Sequence, residues 1–369
     1  MRSIPLLAIW AAGVTALSGV AVAQSQPTPG IPSQPFASIA QAQNGGAGPQ
    51  VTYQYGTEFV TVNGSPAGVN SSYPNFAVDG SAGTPRGGLN YDFRISRYEV
   101  GASSWSAFFA AADAVGAATG QQIPYLTRPG NLSGSGQYGR VGNISWRTAA
   151  MYCNWLCNDQ AQTRAAFMNG AYDVNTFGLI GNQFTDQLTH NPGAQFWIPT
   201  LDEWIRAANY DPNRNGPGQG GWWQFSISRD TNAIPGLPRW GGEANAGFST
   251  PNLEEFTVPL GAYSNIQSPW GLFDTVGASA EWLEEALYQT GPNLPYSRLL
   301  AGAYITGSGA DVAFGSMQNG DAIGAEVPMD DAYWMGFRIA AAVPSPSACL
   351  LFMSLGTTVF SRRQSRASI

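Results

Sequence analysis

The spacing of apolar positions predicts two strands early in the folded part of the chain. Residues 51–64 read VTYQYGTEFVTVNG, in which apolar and polar side chains alternate up to the turn pair Asn63-Gly64. Residues 91–101, YDFRISRYEVG, alternate in the same way. A period of two places every second side chain on the same face of a strand. We therefore expect both segments to lie in a sheet with one face buried.

A helical period follows in residues 102–119, ASSWSAFFAAADAVGAAT. Trp105 and Phe108 lie at helical spacing, which predicts a helix with one apolar face in a core. Ser103 or Ser104 is the expected N-cap, because a serine hydroxyl can accept a hydrogen bond from the free N–H groups of the first turn.

Capping signals predict two more helices. Ser145 precedes WRTAAMYCNWLCN, whose inner face is expected to include Tyr152 and Leu156. Thr200 is followed three positions later by Glu203, which is the spacing of a capping box. Capping accounts for Glu203, although an acid–base role for its carboxyl group stays open.

The cysteine and histidine counts restrict the chemistry. Three cysteines, Cys153, Cys157 and Cys349, cannot form a disulfide framework. Cys153 and Cys157 are four residues apart on the predicted helix, where they are either buried small hydrophobes or a redox pair. The one histidine, His190, lies in the polar loop LTHNPG with no nucleophile motif near it, and it excludes metal sites that need several imidazoles.

Composition indicates a folded, loop-rich protein. The chain of 369 residues contains 45 Gly and 25 Pro, with 12% aromatic and 11% charged residues. Low charge with many aromatic side chains is not typical of disorder. The formal net charge of -7 argues against a nucleic-acid partner, which would favour a basic surface.

The N-terminal residues 1–23 have the features of a secretory signal peptide. A basic start is followed by an apolar run, residues 4–22, and the triplet AVA at 21–23 has the form of a cleavage site. A retained membrane anchor is the alternative. Residues 24–50, rich in Pro, Gln, Ser, Ala and Gly, are predicted to be a flexible lead-in.

The C-terminal residues 343–369 are predicted to be a sorting segment. VPSPS at 343–347 precedes an apolar run, residues 348–360, and then three arginines. The run is short for a permanent span, which needs roughly 20 residues. The segment resembles the PEP-CTERM signal of exosortase substrates, with serine in place of the glutamate of V-P-E-P-S. The resemblance implies transient membrane contact, an exosortase-type sorting partner and delivery to the cell surface; a weak tail anchor is the alternative.

Residues 268–282, SPWGLFDTVGASAEW, have neither helical nor strand periodicity. Their aromatic side chains would anchor turns that the glycines permit. Asp274 and Glu281, together with backbone carbonyls, could surround a hard cation such as Ca²⁺, which prefers oxygen ligands. The alternative is that the two carboxylates accept backbone N–H bonds.

Within this stretch, GLFDTVGASAEW resembles the G-L-(Y/F)-D-M-x-G-N-V-x-E-W signature of the formylglycine-generating-enzyme, or sulfatase-modifying factor, domain. Other segments resemble further elements of that family in the family's order, namely YDFRISRYEVG, VGNISWRTAAMYCNWLCN, FWIPTLDEWIRAANYDP, SRLLAGAYITGSGADVAFGS and YWMGFRIAA. The resemblance implies a single α+β domain of the C-type-lectin-like kind, rich in loops, over residues 51–342.

The resemblance also implies two calcium sites. The implied ligands are, for the second site, the side chains of Asp274 and Glu281 and the carbonyls of Gly277 and Ser279, and, for the first, Asn245 and the carbonyl of Ala246. Asn252, Glu254 or Glu255 would complete the first site. Ala278 and Ala280 stand where the family usually has asparagine and an aromatic residue, so the surroundings of the second site are altered.

Members of that family oxidise a substrate cysteine with O₂ at a copper ion held by two cysteines. The corresponding positions here are Thr306 and Asp311, and no cysteine lies between Cys157 and Cys349. Cu(I) needs soft sulfur ligands, so copper is not expected. The related iron-dependent sulfoxide synthases need several histidines, so iron is not expected either. No catalytic residue is therefore predicted.

The irregular residues 209–242 supply exposed candidates for ligand binding, because long loops in compact domains often carry contacts to ligands. Trp222, Trp223 and Trp240 could stack on a sugar, or they could anchor the loop. The sequence therefore predicts an exported protein, secreted or at the cell surface, with a calcium-stabilised binding or scaffold domain for polysaccharide or a surface protein. The alternative is an O₂-dependent oxidase or another enzyme with a rearranged site.

Overall fold

A computed structural model describes residues 59–62, 87–128, 142–181, 183–245, 258–277, 279–288, 295–302, 324–326, 328 and 335–343. The predicted signal peptide and lead-in lie outside these ranges, as does all but the first residue of the predicted sorting segment. The predicted domain boundaries therefore stay predictions, whereas most of the predicted domain can be described.

The described residues form four helices and twelve short strands. The helices are α1 (Ala102–Thr119), α2 (Trp146–Cys157), α3 (Arg164–Met168) and α4 (Leu201–Asn209), with 3-10 turns at Val174–Thr176 and Pro238–Trp240. The strands are β1 (Phe59–Val62), β2 (Phe93–Ser96), β3 (Leu179–Ile180), β4 (Gln183–Phe184), β5 (Phe196–Trp197), β6 (Tyr210–Asp211), β7 (Gly221–Trp222), β8 (Ala280–Tyr288), β9 (Pro295–Ala301), β10 (Gly324–Glu326), β11 (Met335–Gly336) and β12 (Ala340–Ala342). The predicted loop-rich α+β class is confirmed.

The first sheet joins the two ends of the domain. Its order is β1-β2-β12-β5, and every neighbouring pair is antiparallel. Ile95 of β2 lies between Val60 of β1 and Ala340 of β12 in register. Phe93 and Ile95 alternate with half-buried Arg94, as the period of two predicts, so the second predicted strand is confirmed. For the first, the described residues confirm a strand at 59–62, but the expectation of one buried face was wrong there, because neighbouring Phe59 and Val60 are both buried.

The second sheet carries the end of the stretch 268–282. Its order is β10-β9-β8-β11, with β8 antiparallel to β9 and parallel to β11. In β8 the residues from Ala280 to Glu284 are all buried, so both faces of this strand are covered. An acid placed here has no contact with bulk water and needs partners inside the protein.

Helices α1 and α2 build most of the aromatic core. The ring of Phe108 on α1 lies 5.2 Å from that of Tyr152 on α2 and 5.4 Å from that of Phe167 on α3. Helix α2 is buried from Trp146 to Leu156, on every side rather than only on the predicted inner face. It is a central helix, which explains why its sequence is poor in charge.

Helix caps agree with the sequence in two of three cases. Ser145 accepts a hydrogen bond from the backbone N–H of Thr148, and Thr200 and Glu203 form the complete capping box. The expectation for α1 was wrong. That helix begins at Ala102 with Gly101 as N-cap and no side-chain cap, so the serines lie inside the first turn.

The stretch 268–282 folds as irregular turns up to β8, as predicted. Gly271 has φ of 84°, and a side chain there would also meet the guanidinium of Arg97. Asp274, although not glycine, has φ of 56°. The indole N–H of Trp270 donates to the carbonyl of Tyr210 at 2.7 Å, and that of Trp282 donates to the carbonyl of Ile144 at 2.5 Å. The aromatic residues are thus anchors, as expected.

Candidate functional site

Glu281, a predicted calcium ligand, is fully buried and paired with Arg338. Its Oε2 accepts hydrogen bonds from Nε of Arg338 at 2.6 Å and from the indole of Trp204 at 2.8 Å, and its Oε1 accepts one from Nη2 of Arg338 at 2.5 Å. Such a two-point pair is a strong interaction in a buried setting. Burial lowers the pKa of Arg338, but the charge of Glu281 outweighs it, and the pKa is raised on balance.

Arg338 also ties the surrounding backbone together. Its Nη1 donates to the carbonyls of Ser96 at 3.0 Å and Arg97 at 3.1 Å, and its Nη2 donates to the carbonyl of Phe273 at 3.1 Å. The guanidinium therefore links β2 and the loop before β8 to the carboxylate of Glu281.

Asp274 is the second predicted carboxylate ligand. Its Oδ2 accepts a hydrogen bond from the backbone N–H of Gly261 at 2.6 Å. Burial raises the pKa of Asp274 to about 6, the charge of Glu281 acts in the same direction, and Arg338 opposes both. A half-buried acid with a raised pKa would be stabilised in its ionised form by a nearby cation.

The remaining predicted calcium ligands are only partly within the described residues. Gly277 forms a parallel bridge with Asn245, so the segments of the two predicted sites are adjacent. The N–H of Ser279 donates to Oε1 of Glu99 at 3.2 Å. Ala246 and the candidates Asn252, Glu254 and Glu255 lie outside the described residues.

Of the two carboxylates predicted to bind calcium at the second site, one fits a cation and the other does not. Asp274 fits a hard cation, since its half-buried carboxyl group supplies oxygen ligands and its raised pKa shows that a nearby positive charge would stabilise the ionised form. Glu281 in its present pairing does not fit, because both carboxylate oxygens already accept hydrogen bonds from Arg338. Over the part of the chain that is described, no three His, Cys, Asp or Glu side chains converge in a way that could hold a metal ion.

The two cysteines of α2 were predicted to be either buried small hydrophobes or a redox pair, and their burial favours the first. Cys153 on α2 is fully buried, and burial raises the pKa of its thiol well above the ordinary value. Burial also raises the pKa of the Cys157 thiol, whose S–H donates to the carbonyl of Phe196 at 3.3 Å. Thr306 and Asp311 lie outside the described residues.

The three candidate tryptophans have different surroundings. Trp222 is buried, with its ring 5.0 Å from that of Tyr210, and it anchors the loop. The indole N–H of Trp223 donates to Asp211 at 3.1 Å, and the guanidinium of Arg214 lies 4.4 Å from its ring centre. Trp240 is 69% exposed, and the guanidinium of Arg239 lies 4.6 Å from its ring centre.

A cluster around Trp197 was not predicted from the sequence; most of it is buried, while Tyr91 and His190 reach the surface. We name it the Trp197 cluster, and it consists of Tyr91, Tyr172, His190, Trp197, Glu203 and Glu284. The ring of His190 stacks on that of Trp197 at 4.5 Å, and the indole N–H of Trp197 donates to Oε2 of Glu203 at 3.0 Å. The hydroxyl of Tyr91 donates to Oε1 of Glu203 at 3.0 Å.

Glu284 holds the other side of this cluster. Its Oε1 lies 2.8 Å from the hydroxyl of Tyr172, 2.6 Å from the backbone nitrogen of His190 and 2.9 Å from Nδ1 of the same residue. Burial raises the pKa of Glu203 to about 7. For His190, in contrast, burial lowers the pKa, but the hydrogen bond and the charge of Glu284 outweigh this effect, so the pKa of His190 is raised on balance.

One sequence signal pointed to this cluster. His190 is the single histidine, but its partner Glu284 is distant along the chain and lies in a strand that periodicity did not single out.

None of the helices among the described residues is both long and apolar enough to cross a bilayer.

The chain belongs to the family of the sulfatase-modifying factor enzyme 1-like domain, whose model matches residues 49–343. The predicted family is thereby confirmed. No curated protein sequence matches this chain.

Solved structures with a similar course of the chain have low identity to it. The crystal structure of CarF is 19% identical and covers 78% of this chain and 98% of its own, with a TM-score of 0.47. Treponema denticola variable protein 1 is 17% identical over 79% of this chain and 98% of its own, with a TM-score of 0.45. PvdO from Pseudomonas aeruginosa is 16% identical over 78% and 92%, with a TM-score of 0.40. Similarity at this level says nothing about activity.

Proposed function

We propose that this protein is exported to the cell surface, where its domain binds or scaffolds rather than acting as a copper oxidase. The observation that carries the proposal is the lack of cysteine thiols that could bind copper. The chain has three cysteines, none of them between Cys157 and Cys349, and the two on α2 are kept as thiols by burial. A copper centre of the family's kind needs two accessible thiolates.

Export and surface delivery rest on the ends of the chain. The apolar run and AVA triplet at residues 1–23 support secretion, and the VPSPS motif with its apolar run and arginines at 343–369 supports processing by exosortase-type machinery. The membrane contact of the C-terminal segment is then transient.

Trp240 is the contact residue that we assign to the ligand. It is the most exposed of the three candidate tryptophans, and Arg239 beside it adds hydrogen-bond donors. A flat aromatic surface with polar neighbours suits the apolar face and hydroxyl groups of a sugar, so an extracellular polysaccharide is the favoured ligand class. A surface protein is the other candidate.

Calcium stabilises the irregular segments in this proposal. Asp274 and the carbonyls of Gly277 and Ser279 would hold the ion, and Glu281 would join them only by giving up part of its pairing with Arg338. At a calcium concentration 100 times the Kd, the unfolding free energy would rise by about 2.7 kcal/mol. Asp274→Asn should abolish this gain.

The first test is elemental analysis of the purified full chain before and after chelation. Calcium without copper or iron, lost together with thermal stability, is the expected result. Stoichiometric copper or iron would overturn the proposal and favour the oxidase alternative, for which O₂-dependent oxidation of a cysteine peptide is the assay.

The second test is binding of the full chain to extracellular polysaccharide, by affinity electrophoresis. Trp240→Ala should weaken binding at least ~10-fold, the range of a central aromatic contact. Ile234→Ala is the matched control, because Ile234 is an exposed apolar residue of the same loop region. Equal binding by both variants would remove Trp240 from the proposed ligand site.

A further inference from the structure

His190 and Glu284 are arranged as an imidazole–carboxylate pair. Nδ1 of His190 lies 2.9 Å from Oε1 of Glu284, and the backbone N–H of His190 donates to the same oxygen at 2.6 Å. The side chain of Glu284 is 3% exposed, whereas that of His190 is 25% exposed. One ring nitrogen is therefore fixed in the interior, and the imidazole still reaches the surface.

The surroundings hold the imidazole in one orientation. Its ring stacks on Trp197 with an angle of 17° between the planes. Arg298 fixes the loop that carries His190, since its guanidinium donates to the carbonyls of Gln187 and Leu188. A ring held by stacking, a hydrogen bond and a fixed loop loses little freedom when it meets a ligand.

The second ring nitrogen, Nε2, has no hydrogen-bond partner among the described residues. A carboxylate that binds Nδ1–H selects the tautomer in which Nε2 carries the lone pair. This is the arrangement in which imidazole takes a proton from a hydroxyl group or from water.

We propose that His190, oriented by Glu284, is an acid–base site at which Nε2 exchanges a proton with water or with a hydroxyl group of a bound ligand. The residues of this site are other than Trp240, the proposed sugar contact, and other than Thr306 and Asp311, the sequence positions of the family's copper cysteines. It therefore goes beyond the binding role proposed above and does not depend on it.

The charge environment of the site comes from several elements. The titratable or charged groups around His190 are Glu284 on β8, Glu203 on α4, Tyr172 before β3, Tyr91 before β2 and Arg298 on β9. The carboxylates favour the imidazolium form of His190, so the free base should dominate only above its raised pKa. Base-dependent reactivity should accordingly rise with pH through this value.

The first measurement is the ¹⁵N spectrum of the imidazole in the full chain, where His190 is the single histidine and gives an unambiguous signal. We expect a pKa above 6.5, the ordinary value, and protonated Nδ1 in the neutral form. Glu284→Gln should lower the pKa. Glu243→Gln, which removes a carboxylate paired with Arg229 instead, should leave it unchanged. A neutral form protonated at Nε2, or a pKa that does not respond to Glu284→Gln, would overturn the proposal.

The second measurement uses p-nitrophenyl acetate as the probe. Nε2 takes a proton from a water molecule while the oxygen of that water attacks the carbonyl carbon of the ester. The bond between this carbon and the p-nitrophenolate oxygen then breaks, and p-nitrophenolate leaves with the electron pair. Acetate forms, and His190 releases the proton to solvent. His190→Gln should reduce the protein-dependent rate at least ~10-fold. An unchanged rate would refute accessibility of the imidazole, and this comparison holds even if Glu284→Gln does not fold.

Discussion

Replacing Arg338 with methionine should lower the unfolding free energy of the domain by about 3–5 kcal/mol, the cost of leaving a buried charge without its partner. Both members of the Arg338–Glu281 pair are at most 1% exposed, so water cannot replace the guanidinium as the hydrogen-bond donor to Glu281. The carbonyls of Ser96, Arg97 and Phe273 lose a donor as well. The loss should therefore lie in the upper half of that range.

Urea unfolding followed by tryptophan fluorescence measures this change, and the melting temperature should fall by on the order of 10 °C. The matched control is Arg229→Met. Arg229 and Glu243 are 30% and 22% exposed, so breaking their pair should cost at most about 1 kcal/mol.

The double variant Glu281→Leu with Arg338→Met separates charge from packing. Because it removes both buried charges, it should regain much of the stability lost in Arg338→Met. A loss below about 1 kcal/mol for Arg338→Met would refute the assignment of this pair as an organising contact of the domain. A double variant no more stable than the single one would show that the three carbonyl contacts, rather than the charge of Glu281, set the cost.

The folded-state pKa of Glu203, about 7, lies above its ordinary value of 4.5, so its protonated form stabilises the fold. That contribution is complete below about pH 4.5 and disappears as the pH rises through about 7. The unfolding free energy should therefore fall across this range, and Glu203→Gln should make the fall smaller. Urea titration at several pH values measures both. Asn154→Ala should cost about 3 kcal/mol in the same assay, because its side chain makes hydrogen bonds of 2.7 to 3.0 Å to buried backbone groups of Phe167 and Tyr172; a loss under about 1 kcal/mol would contradict it. Thr200→Ala should cost about 1 kcal/mol through loss of the N-cap of α4, whereas Thr200→Ser should be nearly neutral.

Local sequence patterns predicted those parts of the fold that local physics decides. The alternation around Phe93 and the helical spacing around Phe108 each match an element, since burial of one face is encoded by side-chain period. The Thr200–Glu203 box was visible because its bonds join residues three apart. The cap of α1 was predicted wrongly, because Gly101 can begin a helix without any side-chain hydrogen bond.

The partners of the acids could not be predicted from the sequence, because they come from distant segments. Glu281 was assigned to calcium from its motif, but its contact to Arg338 spans 57 residues. The capping box predicts the bonds between Glu203 and Thr200, but not the hydrogen bond from Tyr91, which lies 112 residues away along the chain. Spacing along the chain carries no information about such contacts until the sheets bring the segments together.

The sequence by itself determined the family, the loop-rich α+β class and the lack of cysteines where the family holds copper, because motifs and residue counts are properties of the chain. Only the tertiary structure decided which carboxylates are buried, which of them pair with Arg338, and that His190 meets Glu284. The physical reason is that burial and charge pairing depend on the distance between side chains in space, and β8 receives its partners from helices, loops and strands along most of the domain.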